Sequence, residues 1–383
     1  MRRRKRLRRK EIRKRRIIVI TALFSVTFLL ASGYAAFSTN LNINAKGNLI
    51  EKENTTIGGK KVYLATSGDG LYEDPVENNR YVYRGANPDN YICLESGNGA
   101  CSNNNLYRII AVEEDGTLKV IKNTSIGNIV WDPGYSSNIS SITSVSSISG
   151  TRYSNVSTDY CYASSESGYY GCKSWGSRTS TYDSTGNTKV TQMPRAAGNS
   201  TLKSLPVYDS YINVYLNGGE YLNASNEEIT ITGWLESQNN IIRNNTINYT
   251  YNIGPLEEKS EQTLYINISQ ESAYKWKGKV GLMNATDYIR ANNNVECNSA
   301  YQAIQTSCST NNWLINSSIV QYMITPKSDA NASNLIRVQS MSPLKLNSAS
   351  TFNSYSIRPV FHLSSSITLL GKGTNDSNVY RIA

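Results

Sequence analysis

The sequence predicts a β-rich α+β domain, with long loops, carried behind a single apolar N-terminal helix. Three observations predict it: a basic block that runs into an uncharged stretch, short apolar segments separated by turn residues after it, and six cysteines in three close pairs.

The first sixteen residues hold twelve Lys or Arg and one acid, Glu11, and residues 17–37 carry no charge at all. A basic flank stays on the cytoplasmic side while an apolar run enters the membrane, so the chain after Ser38 is expected outside the cell. Twenty-one helical residues at about 1.5 Å each span roughly 30 Å, the thickness of a hydrocarbon core. An uncleaved single-pass anchor fits this. Cleavage also fits, because Gly33 and Ala35 occupy the small-residue positions of a processing site and place the cut before Ala36. Four segments follow: a basic cytoplasmic segment 1–16, a membrane or signal helix 17–37, a linker 38–60 and an extracellular domain 61–383.

The net charge of +10 comes from that first segment alone, since the remaining chain carries 27 basic and 28 acidic residues. A basic protein would suggest nucleic-acid binding. This body has no basic excess to offer phosphates, so nucleic acid is not an expected partner. The composition beyond Ser38 is rich in Asn, Ser, Thr, Tyr and Gly, with 27 Tyr against 5 Phe and one His in the whole chain. Tyr brings contact area with a polar tip, which suits recognition of polar partners.

Cys93 with Cys101, Cys161 with Cys172, and Cys297 with Cys308 are each close in sequence. Six cysteines allow 15 connectivities, and an oxidising exterior favours these three local bridges. A metal site is disfavoured by the absence of Cys-x-x-Cys and by a single histidine. No metal and no cofactor is expected.

Taken along the chain, 61–65 and 81–84 read as short strands. Residues 106–121 read as two strands around Glu113-Glu114-Asp115-Gly116, a turn ending in Asp-Gly. From Pro133 to about Ser200 aliphatics are scarce, so 133–200 is expected to be a surface insertion burying little core. Residues 210–216 read as a short helix, 228–234 and 263–268 as strands, and 279–283 as a strand leading into a helix over 286–291 with Asp287 at its start. Residues 356–363 and 379–382 read as closing strands.

Several segments together carry a resemblance: 275–282 (Lys-Trp-Lys-Gly-Lys-Val-Gly-Leu), Asp287-Tyr288-Ile289, Asn312-Trp313-Leu314, 357–361 (Ile-Arg-Pro-Val-Phe) and 371–374 (Gly-Lys-Gly-Thr). Tyr107-Arg108-Ile109-Ile110, Asp115-Gly116 and Tyr215-Leu216-Asn217 agree. The pattern resembles surface proteins of gut Firmicutes whose domain is similar to the C-type-lectin-like fold, also the scaffold of formylglycine-generating enzymes. The resemblance implies framework roles for Trp313, Arg358 and Pro359. No cysteine follows Cys308, so the catalytic cysteine pair of those enzymes is missing and no enzyme of that kind is expected. Residues 32–38 also resemble the processing region of exported Gram-positive biofilm-matrix proteins.

Other chemistry is sparse. Asn87-Pro88-Asp89 has the look of a lectin calcium motif and, more simply, of a turn. The acidic neighbours Glu227-Glu228 and Glu257-Glu258 could serve a glycosidase but suit solvated turns. His362, between Phe361 and Leu363 on a strand, is read as structural or surface. The expected function is non-enzymatic adhesion to, or recognition of, a glycan or protein ligand. A structural matrix or envelope component is the alternative, and a carbohydrate-active enzyme the third reading.

Overall fold

Two neighbouring strands, Leu106–Val112 and Leu118–Lys122, form the centre of the molecule, and every residue of both is buried. Their antiparallel register runs from Tyr107 opposite Lys122 to Val112 opposite Leu118, with a shift between Ile109 and Ala111. The turn between them closes as expected. Asp115 Oδ1 accepts from the Thr117 amide at 2.9 Å, and Gly116 takes φ +80°, where a side chain would be strained.

The structure is a computed structural model of the chain. It describes residues 54–131, 209–222, 228–257, 259–305, 310–314, 320–327, 337–342, 345–350 and 354–383, with pieces at 161–163, 170–172, 175, 181–182 and 308. Residues 1–53, including the expected basic segment and apolar helix and the cleavage position at Ala35, lie outside this range. Among the described residues no helix is long and apolar enough to cross a membrane.

The two central strands belong to a ten-stranded sheet. Its main path runs Thr246–Ile247, Val360–Leu363, Leu118–Lys122, Leu106–Val112, Tyr91–Cys93, Tyr380–Ile382 and Leu369–Leu370. Tyr81–Arg84 joins the end of Leu106–Val112 and carries Gly70–Glu73, and Val280–Gly281 pairs with Val360 and Phe361. All pairs are antiparallel except Tyr380–Ile382 beside Tyr91–Cys93, which is parallel. A five-stranded sheet holds Lys345–Ser350, Arg337–Ser342, Gln321–Pro326, Ser354–Ser356 and Asn128–Val130 in that order. A three-stranded sheet holds Thr181–Tyr182, Lys275–Gly278 and Tyr249–Asn252. Helices are few and short, so the domain is α+β and β-rich.

Burial is needed on both faces of the main sheet, and helix Ala285–Arg290 supplies part of it with all six residues buried. Its first turn is closed by Asp287, whose Oδ2 accepts from the Asn284 amide at 2.8 Å. Aromatic rings link the sheets: Trp175 packs edge-on against Trp131 at 5.5 Å and Trp276 at 5.6 Å.

Four expectations need correction. Residues 263–268 are not a strand: Thr263 caps helix Leu264–Glu271, its side chain accepting from the Ile266 amide. The alternation of Leu264, Ile266 and Ile268 reads as a strand, yet Leu264 and Ile268, one helical turn apart, are the pair buried. The strand at 228 ends at Ile231, and Trp234–Ser237 is a 3-10 turn. The segment 356–363 is two strands, Ser354–Ser356 and Val360–Leu363, broken where Pro359 has no amide to give to a ladder. Order begins earlier than the linker reading allows, because Asn54–Ile57 pairs with Lys60–Tyr63 as a hairpin. From the segment 133–200, most of which lies outside the described residues, Trp175 is fully buried in the core.

Candidate functional site

Strands Leu118–Lys122 and Val360–Leu363 pair with Lys119 opposite His362, which places both side chains on one face of the sheet. Helix Ala285–Arg290 lies over that face, and Lys119 Nζ sits 2.6 Å from Asp287 Oδ2 and 3.2 Å from Asn284 Oδ1. Arg80 enters from the turn before Tyr81–Arg84. Its guanidinium contacts Asp74 at 2.6 Å, Glu113 at 2.8 Å and Asp287 at 3.6 Å. Arg290 completes the network against Asp74 at 2.9 Å and against Glu77.

A buried ion costs several kcal/mol unless its charge is met, and here the charges meet one another. Burial alone would raise the Glu113 carboxyl, yet Arg80 first, and Lys119 after it, hold it well below the usual carboxylate range. Asp74 is likewise lowered against its burial by Arg290 and Arg80. Both are therefore ionised at neutral pH and tied to guanidinium groups. Neither is a proton donor there.

His362 is the exception in this network. Burial lowers its pKa in spite of the nearby Glu113, so its imidazole is neutral. The ring stacks on Tyr249 at 3.6 Å between centroids with planes 14° apart. Neither Nδ1 nor Nε2 has a hydrogen-bond partner among the described residues. Nε2 is 3.6 Å from Glu113 Oε1, beyond hydrogen-bond reach. Buried polar atoms are nearly always satisfied, so this unsatisfied ring stands out among its surroundings.

Those surroundings are a cavity of about 560 Å³ whose wall includes His362, Tyr249, Glu113, Lys119, Asp287 and Arg290. The volume falls in the range of small-molecule sites. Tyr249–Asn252 is the outer strand of its three-stranded sheet and contributes all four residues to the wall. Lys275 and Lys277 flank Trp276 on the neighbouring strand, where Trp276 is buried and Lys277 exposed. Neither lysine forms an ion pair among the described residues. The wall thus carries five cations, Arg80, Lys119, Lys275, Lys277 and Arg290, against three carboxylates, Glu77, Glu113 and Asp287. Arg80, Lys119 and Arg290 are committed to the carboxylates around them, while Lys275 and Lys277 leave positive charge on the wall.

The residues singled out from sequence fall elsewhere. Cys93–Cys101 and Cys297–Cys308 are disulfides with Cα atoms 5.8 and 5.6 Å apart. Cys161 and Cys172 are backbone partners in a hairpin of Cys161–Ala163 with Tyr170–Cys172; their side chains lie outside the described residues. The one group of described residues with metal-ligand proximity is Cys93, Glu95 and Cys101, and both its sulfurs are in that disulfide. Trp313 is buried and donates Nε1–H to the Tyr83 carbonyl at 2.8 Å. Arg358 is buried and donates to the carbonyls of Lys122 at 2.7 Å and Leu314 at 3.2 Å. The Pro359 carbonyl accepts from the Lys122 amide at 3.0 Å.

Asn87 spends its side-chain oxygen on Tyr91 and Arg108, so Asn87-Pro88-Asp89 is organised as a turn. Glu257 pairs with Lys259 at 2.8 Å on the surface, away from the cavity. Glu258 and Glu227 lie outside the described residues. The sequence reading placed His362 between Phe361 and Leu363 on a strand, and alternation puts its side chain on the other face from theirs, the one that proves to be roofed and deep. It did not bring Arg80, Glu113, Lys119, Tyr249 and Asp287 together. Lys119, a lone lysine between Leu118 and Val120, is the local signal: a cation inside an apolar strand needs a partner somewhere.

In comparisons with known proteins, the chain matches no family model, no curated protein and no solved structure.

Proposed function

We propose that the domain is a non-enzymatic recognition module, displayed outside the cell or released from it, that binds a polar ligand of glycan type in the His362 cavity. One observation carries this reading. A buried neutral imidazole with both nitrogens unsatisfied, stacked on Tyr249, lines an open polar cavity, and a hydroxyl-rich ligand offers both donors and acceptors to such a ring.

The C-type-lectin-like resemblance supports the same reading, and the basic-then-apolar N-terminus supports the location. A lectin-like domain of this kind would keep Trp313, Arg358 and Pro359 as framework, while the cavity does the binding. The test is a glycan array probed with the full-length chain in detergent, followed by titration of any hit. Saturable binding that weakens with Lys275→Ser/Lys277→Ser supports recognition at this cavity. Silence on the array together with concentration-dependent polymerisation would replace the reading with that of a structural envelope component. The N-terminal residue of protein recovered from cells separates retention from release: Ala36 means cleavage, and an intact basic end means an anchor.

A further inference from the structure

Lys119 and Lys122 are three residues apart on one strand, so they leave it on opposite faces. Lys119 enters the His362 cavity and is met by Asp287. Lys122 enters a second cavity of about 540 Å³, lined by Trp234, Asn104, Asn105, Thr124, Gln238 and Asn239 among others, and meets no carboxylate among the described residues. Its ammonium donates to the carbonyls of Asn103 at 3.2 Å and Asn104 at 3.0 Å and lies over the Tyr107 ring. Two of its three N–H bonds are accounted for, and its charge is not.

The imbalance extends behind it. Arg358 and Arg108 are both buried, and neither pairs with a carboxylate among the described residues. Arg358 is held by carbonyls alone. Arg108 is held by Asn90, Pro88 and Asn87 and by the faces of Tyr91 and Trp313. Burial first, and then mutual repulsion, lowers them: Lys122 to about 8 with Arg358 beside it, and Arg358 to about 9 with Arg108 beside it. Buried cations are normally paired. A row of three without a counter-charge makes the cavity in front of Lys122 attractive to an anion.

The rest of the wall says what kind of anion. Trp234 is half-buried at the first position of its 3-10 turn and offers aromatic surface. Around it stand four carboxamides, from Asn104, Asn105, Gln238 and Asn239, and the hydroxyls of Thr124, Ser125 and Ser237. Asn239 is fixed by bonds to the Leu94 carbonyl and to Asn105, both 2.8 Å. A flat apolar surface bordered by rigid amides suits the face and hydroxyls of a pyranose ring. We infer that this second cavity binds a carboxylate-bearing sugar, its ring against Trp234 and its carboxylate on Lys122. The site is separate from the His362 cavity and shares no residue with it.

The test is calorimetric titration of the full-length chain in detergent with D-glucuronate, D-glucose and acetate at low salt. D-glucuronate is expected to bind at least tenfold more tightly than either of the others, since only it engages ring and charge together. Trp234→Ala should weaken glucuronate at least tenfold with little change in melting temperature, and Lys122→Gln should reduce it to the level of glucose. Lys277→Ser, on the rim of the other cavity, should leave it unchanged, so a failure of the His362 reading would not be mistaken for a failure here. Equal affinity for glucuronate and acetate, or glucuronate binding that survives Trp234→Ala, would overturn the assignment. If Lys122→Gln does not fold, Trp234→Ala and the three-ligand comparison still decide.

Discussion

His362 lies ring over ring on Tyr249, 3.6 Å apart, although 113 positions separate them in the chain. The contact exists because Thr246–Ile247 pairs with Leu363 and His362, which carries Tyr249 across the histidine. It seals one face of the only imidazole in the protein, a ring that forms part of the cavity wall.

The buried imidazole sets a pH dependence. Its folded pKa lies below the ordinary 6.5, so the unfolded chain takes the proton first as pH falls. Stability should be full above about pH 6.5 and decline below it until the folded state protonates as well. Thermal melts from pH 8 to pH 5 are expected to show this decline, and His362→Gln to flatten it. Glu113, also lowered, loses its contribution only below the ordinary carboxylate range, so the two windows separate.

Removing Arg80 should be far costlier than removing a surface arginine. Arg80→Met leaves Asp74, Glu113 and Asp287 buried without the guanidinium they share. Loss of one partner of a buried pair costs about 3–5 kcal/mol. Arg243→Ala, at an exposed helix site, should cost about 1 kcal/mol or less. Urea unfolding of both variants measures the contrast.

Glu271 behaves oppositely to Glu113. It is buried, and its pKa is raised by that burial despite hydrogen bonds from the Thr286 and Thr325 hydroxyls. No cation pairs with it among the described residues. A raised carboxyl is most stabilising when protonated, so Glu271 subtracts from stability as pH climbs through and above the ordinary 4.5. Glu271→Gln should remove that loss and stand closer to wild type, or above it, at pH 7 than at pH 4 in matched melts.

The disulfides close loops with sequence separations of 8 and 11, and each should contribute about 2.5–3 kcal/mol by limiting the unfolded chain. Cys297→Ser/Cys308→Ser is expected to lose that amount in chemical unfolding. Alkylation of unreduced protein followed by mass spectrometry should label no cysteine, Cys161 and Cys172 included, given their adjacent backbone register.

Local features proved readable where the decisive contacts were local. The hairpin over Leu106–Lys122 is announced by β-branched runs around Asp115-Gly116, and the helix at Ala285–Arg290 by Asp287 in its first turn. Residues 263–268 misled because Leu264, Ile266 and Ile268 satisfy a two-residue period, while the capping Thr263 and the four-residue spacing of Leu264 and Ile268 decided the matter. The cavity as an assembly was not readable, Lys119 in its apolar strand being its one local sign. Arg80, Glu113, Lys119, Tyr249, Asp287 and His362 come from distant segments, and only the sheet order assembles them. Trp175 was missed for the same reason: its partners Trp131 and Trp276 lie far along the chain, and composition cannot report who packs against whom.

The parallel pairing of Tyr380–Ile382 with Tyr91–Cys93 bears on how the molecule comes into being. Contacts between residues so distant in sequence form slowly, because a long loop must close before any bond rewards it. A chain emerging from its N-terminal side has early strands whose neighbour does not yet exist, and their exposed edges are templates for pairing with other chains. Until Tyr380–Ile382 is in place, the edge of Tyr91–Cys93 that it covers stands open to such pairing.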